Sequence, residues 1–319
     1  MFFLQMRMYL LIAALFGIIY ATIVMIGTSM GKGSFEFYLI LSFAMMFIQY
    51  LLGPKMIEWT MHVKYVSRAE APQVYHMIED LAQRAGIPMP KVCIADIPIP
   101  NAFAFGRSQH DGRVCVTRGI LDLLNEEELR AVLGHELTHI KNRDVLTITL
   151  ISVIPMIMYR LAWHFMFYGR SRNSRDNNSG AMIGLIAFLF YFITNLLVLY
   201  GSRIREYFAD RGSIELGNRP AALASALYKL VYGSARADKN AVREIEGLKA
   251  FFINDPSRAG QEIYDLRQLD LDKSGTIDSG ELATFQNRSL KLTFTDHLME
   301  MLSTHPNMLK RIKVLAAQG

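Results

Sequence analysis

Four long apolar segments constrain the fold of this chain more than any other feature. The uncharged runs are residues 8–31, 37–54, 145–159 and 180–200. A helix of about 20 apolar residues crosses a hydrocarbon layer of about 30 Å. The third run continues to residue 168 past Arg160. We therefore predict a transmembrane hairpin at residues 1–54. A second hydrophobic hairpin is predicted at residues 145–201, where the polar interruptions are also compatible with a buried or interfacial hairpin.

The composition agrees with a multi-span membrane protein. Hydrophobic residues make up 51% of the 319 residues, and the mean hydropathy is +0.19. The first apolar run is too long for a signal peptide and a second run follows closely, so we interpret it as a retained anchor. Basic residues beside the runs explain the excess of 34 Lys and Arg over 29 Asp and Glu. No aromatic and basic platform accompanies them, so nucleic acid is not an expected partner.

The flanking charges predict the orientation in the membrane. If all four apolar runs cross the membrane, residues 55–144 and 202–319 lie on the same side of it. The basic residues near the runs on that side are Arg7, Lys55, Lys64, Lys141, Arg143, Arg203, Arg205 and Arg211, and those on the other side are Lys32, Arg170, Arg172 and Arg175. Because basic flanks stay in the cytoplasm, we predict a multi-pass protein of the cell membrane whose larger polar portion is cytoplasmic.

A metal-site pattern, His135-Glu136-Leu137-Thr138-His139, lies shortly before the third apolar run. Residues four apart share one face of a helix, so both imidazoles can reach a single tetrahedral zinc ion while Glu136 stands beside them. Residues 124–143 predict this helix, with Asn125 as the N-cap and three glutamates in the first turn. Apolar residues recur at a helical period, at Leu129, Val132, Leu133, Leu137 and Ile140. Two surface histidines on an ordinary helix are the alternative.

The segment between the second run and this helix reads as a small α/β unit. The predicted elements are a helix at 71–85 and strands at 91–96 and 113–117. Cys93 and Cys115 each lie in one of these strands and are interpreted as reduced, buried thiols. The alternating small and aromatic residues at 101–105 suit an edge strand, which can bind an extended peptide, and an ordinary core strand equally well.

A catalytic zinc ion takes three protein ligands and leaves a fourth position for water. The metzincin pattern is excluded, because Asn142 and Val145 stand where that pattern has glycine and histidine. Beyond the fourth apolar run, Glu206 and Asp210 stand four residues apart. In a helix Glu206 can therefore ligate the metal while Asp210 orients a ligand histidine.

Spacing alone leaves the role of these two carboxylates open. An antiparallel hairpin at residues 145–201 would return Glu206 to the paired histidines. A surface acidic pair bonded to Arg203 or Arg205 explains the same spacing equally well.

Several short motifs, taken in order, carry a family resemblance. They are Asn101-Ala102-Phe103-Ala104, Leu121-Asp122-Leu123-Leu124-Asn125, residues 134–144, Glu206-Tyr207-Phe208-Ala209-Asp210, Thr304-His305-Pro306 and Lys310-Arg311-Ile312. With the two N-terminal runs, the chain resembles the HtpX-like membrane zinc metalloproteases, which are relatives of the CAAX prenyl endopeptidases. The resemblance covers nearly the whole chain.

The resemblance implies a gluzincin-type catalytic domain with one catalytic zinc ion. The implied set consists of the zinc ligands His135, His139 and Glu206, the general base Glu136, the ligand-orienting Asp210, and Asn101 and His305, which position substrate and stabilise the oxyanion. His305 stands directly before Pro306 and is also compatible with a simple helix start.

Residues 270–281 are not part of the family pattern and match a twelve-residue EF-hand loop. The predicted Ca²⁺ ligands are Asp270, Asp272, Ser274, Thr276 through its carbonyl, Asp278 and Glu281. Gly275 stands at position 6 and Ile277 at position 8. Residues 262–269 and 281–288 are the predicted flanking helices, and we expect one Ca²⁺ to order residues 262–290. A polar surface turn is the alternative.

These observations predict an α+β, mostly helical, multi-span membrane protein. Its catalytic domain combines the HExxH helix with a small β-sheet in residues 55–144 and 202–319, and it carries one EF-hand-like loop. The expected function is zinc-dependent hydrolysis of peptide bonds in unfolded or membrane proteins, in protein quality control and modulated by calcium. The alternatives are a prenyl-protein endopeptidase, for which seven spans are expected, and a calcium-binding scaffold with a non-catalytic zinc site. The sequence does not indicate an oligomeric state.

Overall fold

The computed structural model of the protein describes residues 35–144, 179–236, 259–288 and 293–318, with Thr147, Ile154, Pro155, Met158, Tyr159, Ala162 and Ile253 between them. Internal contacts divide the chain into two compact units, Met1–Leu52 with Leu146–Ile204, and Gly53–Val145 with Arg205–Gly319. The predicted apolar run at residues 8–31 and most of the run at residues 145–159 lie outside the described residues.

Two helices carry the other predicted apolar runs. Helix α1, Phe35–Thr60, contains the run at residues 37–54, and helix α5, Ser179–Glu215, contains the run at residues 180–200. In the part of the chain that the structure describes, one helical segment, Met182–Glu215, is long and apolar enough to cross a membrane by length and composition. Large apolar side chains of this segment are exposed, including Leu185, Phe188 and Leu189. The four-span arrangement stays a prediction.

A four-stranded sheet lies at the centre of the second unit. Its strands are β1 Val63–Tyr65, β2 Lys91–Ala95, β3 Ala102–Phe105 and β4 Arg113–Thr117, in the order β1-β2-β4-β3. Strands β2 and β4 are parallel, and the other two pairings are antiparallel. The predicted strands are confirmed, although β2 ends one residue earlier, at Ala95. Of the two possibilities for residues 101–105, the structure has the edge strand.

The two faces of the sheet pack against different clusters. Val92, Val114 and Val116 join the main helical core, whereas Cys93 and Cys115 join a smaller cluster that includes both phenylalanines of β3. The two cysteines are direct partners in the parallel register, and both are buried and free. Burial raises the pKa of the Cys93 thiol to about 12. The prediction of reduced, buried thiols is therefore confirmed.

Helices make up most of the rest of the second unit. They are α2 Pro72–Ala85, α3 Arg118–Leu123, α4 Glu126–Lys141, α6 Pro220–Arg236, α7 Ala259–Leu266, α8 Ser279–Gln286, α9 Phe294–Met301 and α10 Met308–Ala316, together with the last turns of α5. The main core joins α2, α4, α6, α8 and α10 to one face of the sheet. Helix α4 therefore lies among the other elements rather than at the surface.

The start and the inner face of α4 follow from its sequence. Asn125 accepts a hydrogen bond from the Glu128 N–H at 2.9 Å, and the Glu128 carboxylate accepts one from the Asn125 N–H at 3.0 Å, which completes a capping box. The predicted N-cap is confirmed. All five predicted apolar positions are buried. Full burial of each such side chain contributes about 1.5–3 kcal/mol, so this face anchors the helix.

Two glycines let α4 and α5 approach closely. A Cβ on Gly134 would lie 2.4 Å from the Asn218 side-chain nitrogen, and a Cβ on Gly212 would lie 2.3 Å from the Thr138 methyl carbon. Real Cβ atoms essentially never come this close, so a larger residue at either position would force its neighbour to move. The close crossing brings the end of α5 against the face of α4 that carries His135 and His139.

Candidate active site

Two imidazoles of α4 face each other in a buried position. The Nε2 atoms of His135 and His139 lie 3.1 Å apart, as the four-residue spacing predicts. Both Nε2 atoms also approach the Glu206 carboxylate of α5, at 3.6 Å for His135 and 3.7 Å for His139. The three side chains that the resemblance implies as zinc ligands therefore converge.

The convergence fits a tetrahedral metal site. Ligand atoms bound to one zinc ion at about 2.0–2.2 Å lie about 3.3–3.6 Å apart, close to the three separations in the structure. Glu206 Oε2 is buried and accepts no hydrogen bond from the described residues, although Arg311 Nη1 lies 3.2 Å away. Carboxylates near His135 outweigh the effect of burial and raise its pKa to about 9. The site thus favours positive charge, as a cation site requires.

His135 is oriented from behind by a buried ion pair. Its Nδ1 lies 2.9 Å from Asp210 Oδ1, which is within ion-pair distance. The ring N–H does not meet the angle of a hydrogen bond to this oxygen. Asp210 accepts two hydrogen bonds from Arg311 of α10, at 2.9 and 2.6 Å. Both partners are completely buried. Of the two possibilities that the spacing left open, the surface acidic pair is wrong, because Glu206 and Asp210 are both buried against charged partners.

His139 has a similar arrangement on its far side. Its Nδ1 lies 2.6 Å from Asp144 Oδ2, and Arg205 Nε lies 3.0 Å from Asp144 Oδ1. Burial favours the neutral form of Asp144, yet Arg205 and His139 hold the pKa of its carboxyl below the ordinary value. Each histidine is therefore backed by an aspartate, and each aspartate by an arginine. Such outer contacts fix the ring orientation and the tautomer of a metal ligand.

Glu136 stands on the side of the site that faces the sheet. Its Oε2 accepts a hydrogen bond from the Ala104 N–H of edge strand β3 at 2.7 Å. Its carboxylate, like the imidazoles, can offer a ligand atom within 4.8 Å of the others. Burial raises the pKa of Glu136 above its ordinary value. The site thus presents two carboxylates, Glu206 between the two imidazoles and Glu136 against β3.

The two remaining residues of the implied set occupy different surroundings. His305 is buried, its Nδ1 lies 3.6 Å from Glu206 Oε2, and neither ring nitrogen has a hydrogen-bond partner among the described residues. Asn101 is completely buried and accepts a hydrogen bond from the Ile253 N–H at 3.1 Å. The Ile253 carbonyl accepts one from Arg311 at 3.0 Å. His305 therefore lies beside Glu206, and Asn101 is joined to the same network through Ile253.

Sequence reasoning did not identify Asp144, Arg205 or Arg311 as parts of this site. Arg311 did leave a signal, because it stands on the apolar face of α10 between Met308 and Leu315, where an arginine is out of place unless it is paired. Asp144 and Arg205 left weaker signals, since charged residues at the end of an apolar run are common.

The EF-hand-like loop at residues 270–281 is compact. Gly275 has φ of +81°, and Asp270 accepts hydrogen bonds from the N–H groups of Ser274 and Gly275, both at 2.9 Å. Carboxylate oxygens of Asp270, Asp272 and Glu281 lie within 4.8 Å of one another. The flanking helices are α7 and α8, which begin two to three residues earlier than predicted. The structure thus brings together three of the four acidic side chains of the motif, and Asp278 caps helix α8 instead.

Known proteins resemble this chain over most of its length. The model of Peptidase family M48 matches residues 68–318. A "Protease HtpX homolog" of Methanothermobacter thermautotrophicus is 54% identical over 228 residues, which cover 72% of this chain and 86% of that protein. A "Protease HtpX homolog 2" of Methanosarcina mazei is 37% identical over 237 residues, which cover 73% of this chain and 80% of that protein.

Among solved structures, Ste24p of S. mikatae matches 98% of this chain and 65% of its own chain, with a TM-score of 0.49 and 16% sequence identity. This chain therefore spans slightly less than two thirds of that protein.

Proposed function

Because this chain belongs to peptidase family M48, we propose that it is a membrane zinc metalloendopeptidase whose metal ligands are His135, His139 and Glu206. Membership and the 54% identical relative confirm the resemblance to the HtpX-like proteases, and the chain is a metallopeptidase. The convergence of the two imidazoles and Glu206 is the observation that carries the ligand assignment. Family membership sets aside the alternative of a scaffold with a non-catalytic zinc site.

Glu136 is the proposed general base. When bound, zinc polarises the scissile carbonyl and lowers the pKa of water, so that hydrolysis proceeds near neutral pH. Glu136 takes the proton from the attacking water and returns it to the leaving amine. Its raised pKa suits both steps, and the hydrogen bond from Ala104 holds the carboxylate in place. The Ala104 N–H already occupies one carboxylate oxygen of Glu136. This contact supports the role of general base for Glu136 over that of a metal ligand.

His305 and β3 are the proposed substrate contacts. Both ring nitrogens of His305 are free of hydrogen bonds within the described part of the chain, so the imidazole can donate to the developing oxyanion. Such a donor is worth on the order of 3 kcal/mol in the transition state. Strand β3 lies at the sheet edge beside Glu136, so an extended polypeptide can add to it. Asn101, at the start of β3, would position the substrate backbone.

The substrate class and the location follow from the apolar runs. A peptidase attached to a bilayer meets membrane proteins and unfolded chains, so we propose that these are its substrates and that it acts in quality control. The proposed topology is multi-pass with the catalytic domain in the cytoplasm, supported by the basic flanks. A prenyl-protein endopeptidase remains the alternative within this chemistry.

We further propose that residues 270–281 bind one Ca²⁺ and that calcium modulates the peptidase. The loop has a motif residue at every ligand position, and three of its four acidic side chains, those of Asp270, Asp272 and Glu281, lie within 4.8 Å of one another. Asp270, Asp272, Ser274, Asp278 and Glu281 would supply side-chain oxygens, and Thr276 its carbonyl.

Casein cleavage by the detergent-purified full chain tests the proposal. We expect cleavage to require zinc and to fall by at least about 10²–10⁴-fold in Glu136→Gln, while bound zinc is unchanged. Glu127→Gln, at an exposed position of the same helix, is the matched control and should cleave like the wild type. Normal cleavage by Glu136→Gln would refute the assignment. Cleavage of a prenylated peptide but not of casein would favour the prenyl endopeptidase.

A further inference from the structure

A buried chain of hydrogen bonds links the EF-hand-like loop to the start of helix α4. The Ile277 N–H, at position 8 of the loop, donates to Ser225 Oγ of α6 at 3.2 Å. Ser225 Oγ donates to Glu128 Oε1 at 2.7 Å. All three residues are buried. Because a hydroxyl carries a single proton, Ser225 can donate to Glu128 and accept from Ile277 only in one orientation.

Glu128 is a structural part of α4. Its carboxylate accepts the Asn125 N–H that begins the capping box, and Lys229 of α6 lies 2.8 Å from it as an ion pair. His135 follows seven residues later, so the two residues lie two helical turns apart, about 10 Å along the same face. A change at Glu128 therefore acts on the first turn of the helix that carries His135.

Helix α6 contacts the loop at a second point. The Tyr228 hydroxyl donates to Asp270 Oδ2, at position 1 of the loop, at 3.0 Å. Asp270 and Ile277 are thus both held by neighbouring residues of one helix. Ile277 also packs in the core that contains Leu129 and Val132 of α4. Helix α6 therefore holds the loop at positions 1 and 8.

We propose that Ser225 is a positioning residue that couples cation binding at residues 270–281 to the zinc-binding helix α4. This inference rests on the zinc and calcium sites of the proposed function. A cation that fixes the loop fixes the Ile277 N–H, which orients the Ser225 hydroxyl toward Glu128 and so favours one placement of the α4 N-terminus. Polar chains of this kind are cooperative when each member is satisfied. Thermodynamic linkage makes such coupling reciprocal. If calcium changes the affinity for zinc by a given factor, zinc must change the affinity for calcium by the same factor.

Calcium titration by calorimetry tests this coupling without relying on turnover. The full-length Glu136→Gln protein in detergent avoids self-cleavage, and 1,10-phenanthroline followed by dialysis gives its zinc-free form. We expect zinc to tighten calcium binding by about tenfold, within the usual range of about 5–150-fold for coupled sites. Addition of Ser225→Ala should reduce this ratio to less than about twofold. Ser234→Ala removes a second buried serine of α6 and should leave the ratio unchanged.

The outcomes separate the inference from the function on which it rests. An unchanged ratio in Ser225→Ala would overturn the role of Ser225, while calcium and zinc binding still stood. No calcium binding by the wild type would overturn both the calcium site and the coupling, and casein cleavage would decide the peptidase independently. If Ser225→Ala does not fold, the zinc affinity of the wild type is measured by competition with a chelator, with and without calcium. Equal zinc affinities would refute the coupling, and tighter zinc binding with calcium would support it.

Discussion

Arg311 is expected to contribute more to stability than any surface ion pair of this chain. Its guanidinium donates two hydrogen bonds to Asp210 and one to the Ile253 carbonyl, and it lies 3.2 Å from Glu206. Arg311 and Asp210 are both inaccessible to solvent. Replacement by methionine keeps much of the side-chain volume but leaves Asp210 buried without a counter-ion.

The magnitude follows from this geometry. Removing one partner of a buried ion pair costs about 3–5 kcal/mol, chiefly because the remaining charge is uncompensated. The lost hydrogen bond to the Ile253 carbonyl adds about 1 kcal/mol. We therefore expect Arg311→Met to lower the free energy of unfolding by about 4–6 kcal/mol, a large fraction of the about 5–15 kcal/mol of a typical domain. For domains of about 150–250 residues, each 1 kcal/mol lowers Tm by about 2–4 °C.

Thermal unfolding in detergent, followed together with zinc content, measures this effect. The matched control is Arg219→Met, which removes an exposed pair with Glu127 and should change stability by less than about 1 kcal/mol. A double variant, Asp210→Asn with Arg311→Met, removes both charges and should be more stable than Arg311→Met alone. If Arg311→Met unfolds within a few degrees of the wild type and retains zinc, the buried pair is not the support described above.

Three further predictions concern the contacts around the site. Asp144→Asn should weaken zinc binding by about 10–100-fold, because the carboxylate no longer orients its histidine, and competition with a chelator checks this. Gly212→Ala should destabilise the protein by about 1–3 kcal/mol and reduce cleavage, because the new Cβ overlaps Thr138, whereas Gly260→Ala, with open space around it, should be tolerated. Although burial opposes ionisation, two arginines lower the pKa of Asp111 to about 2. Since this value lies below that of the unfolded chain, Asp111 stabilises the fold above about pH 4 and loses the effect as the pH falls through about 2. Because solvent screens this partly exposed group, Asp111→Asn should cost only about 1 kcal/mol at pH 6 and much less at pH 2.

The sequence predicted those elements whose signals are local. Asn125, the following glutamates and the apolar period of α4 all lie within one short segment, and the structure has the helix where they place it. The strands were predictable for the same reason, because apolar runs bounded by glycine and proline define them. Even the capping partner Glu128 follows from the three-residue spacing, although its bond to Ser225 does not.

The supports of the site were not predictable in this way, because their partners are distant in sequence. Asp210 and Arg311 stand 101 residues apart, and no spacing rule relates them. A buried carboxylate behind a ligand histidine nevertheless requires a counter-ion. Arg311, on the apolar face of α10, is that counter-ion. A buried aspartate that needs a positive partner and an arginine on an apolar helix face could therefore have been matched from the sequence.

The positive charge of Arg205 has two explanations, one from the membrane topology and one from its ion pair with Asp144. Its position beside an apolar run made it one of eight basic residues on the predicted cytoplasmic side. In the structure it pairs with Asp144, which in turn holds His139. A basic residue that pairs with a buried aspartate is weaker evidence for topology than one without such a partner, because the ion pair is a separate reason for its position. Without Arg205, seven basic residues remain on the predicted cytoplasmic side against four on the other side. The predicted orientation is therefore the same whether or not Arg205 is counted.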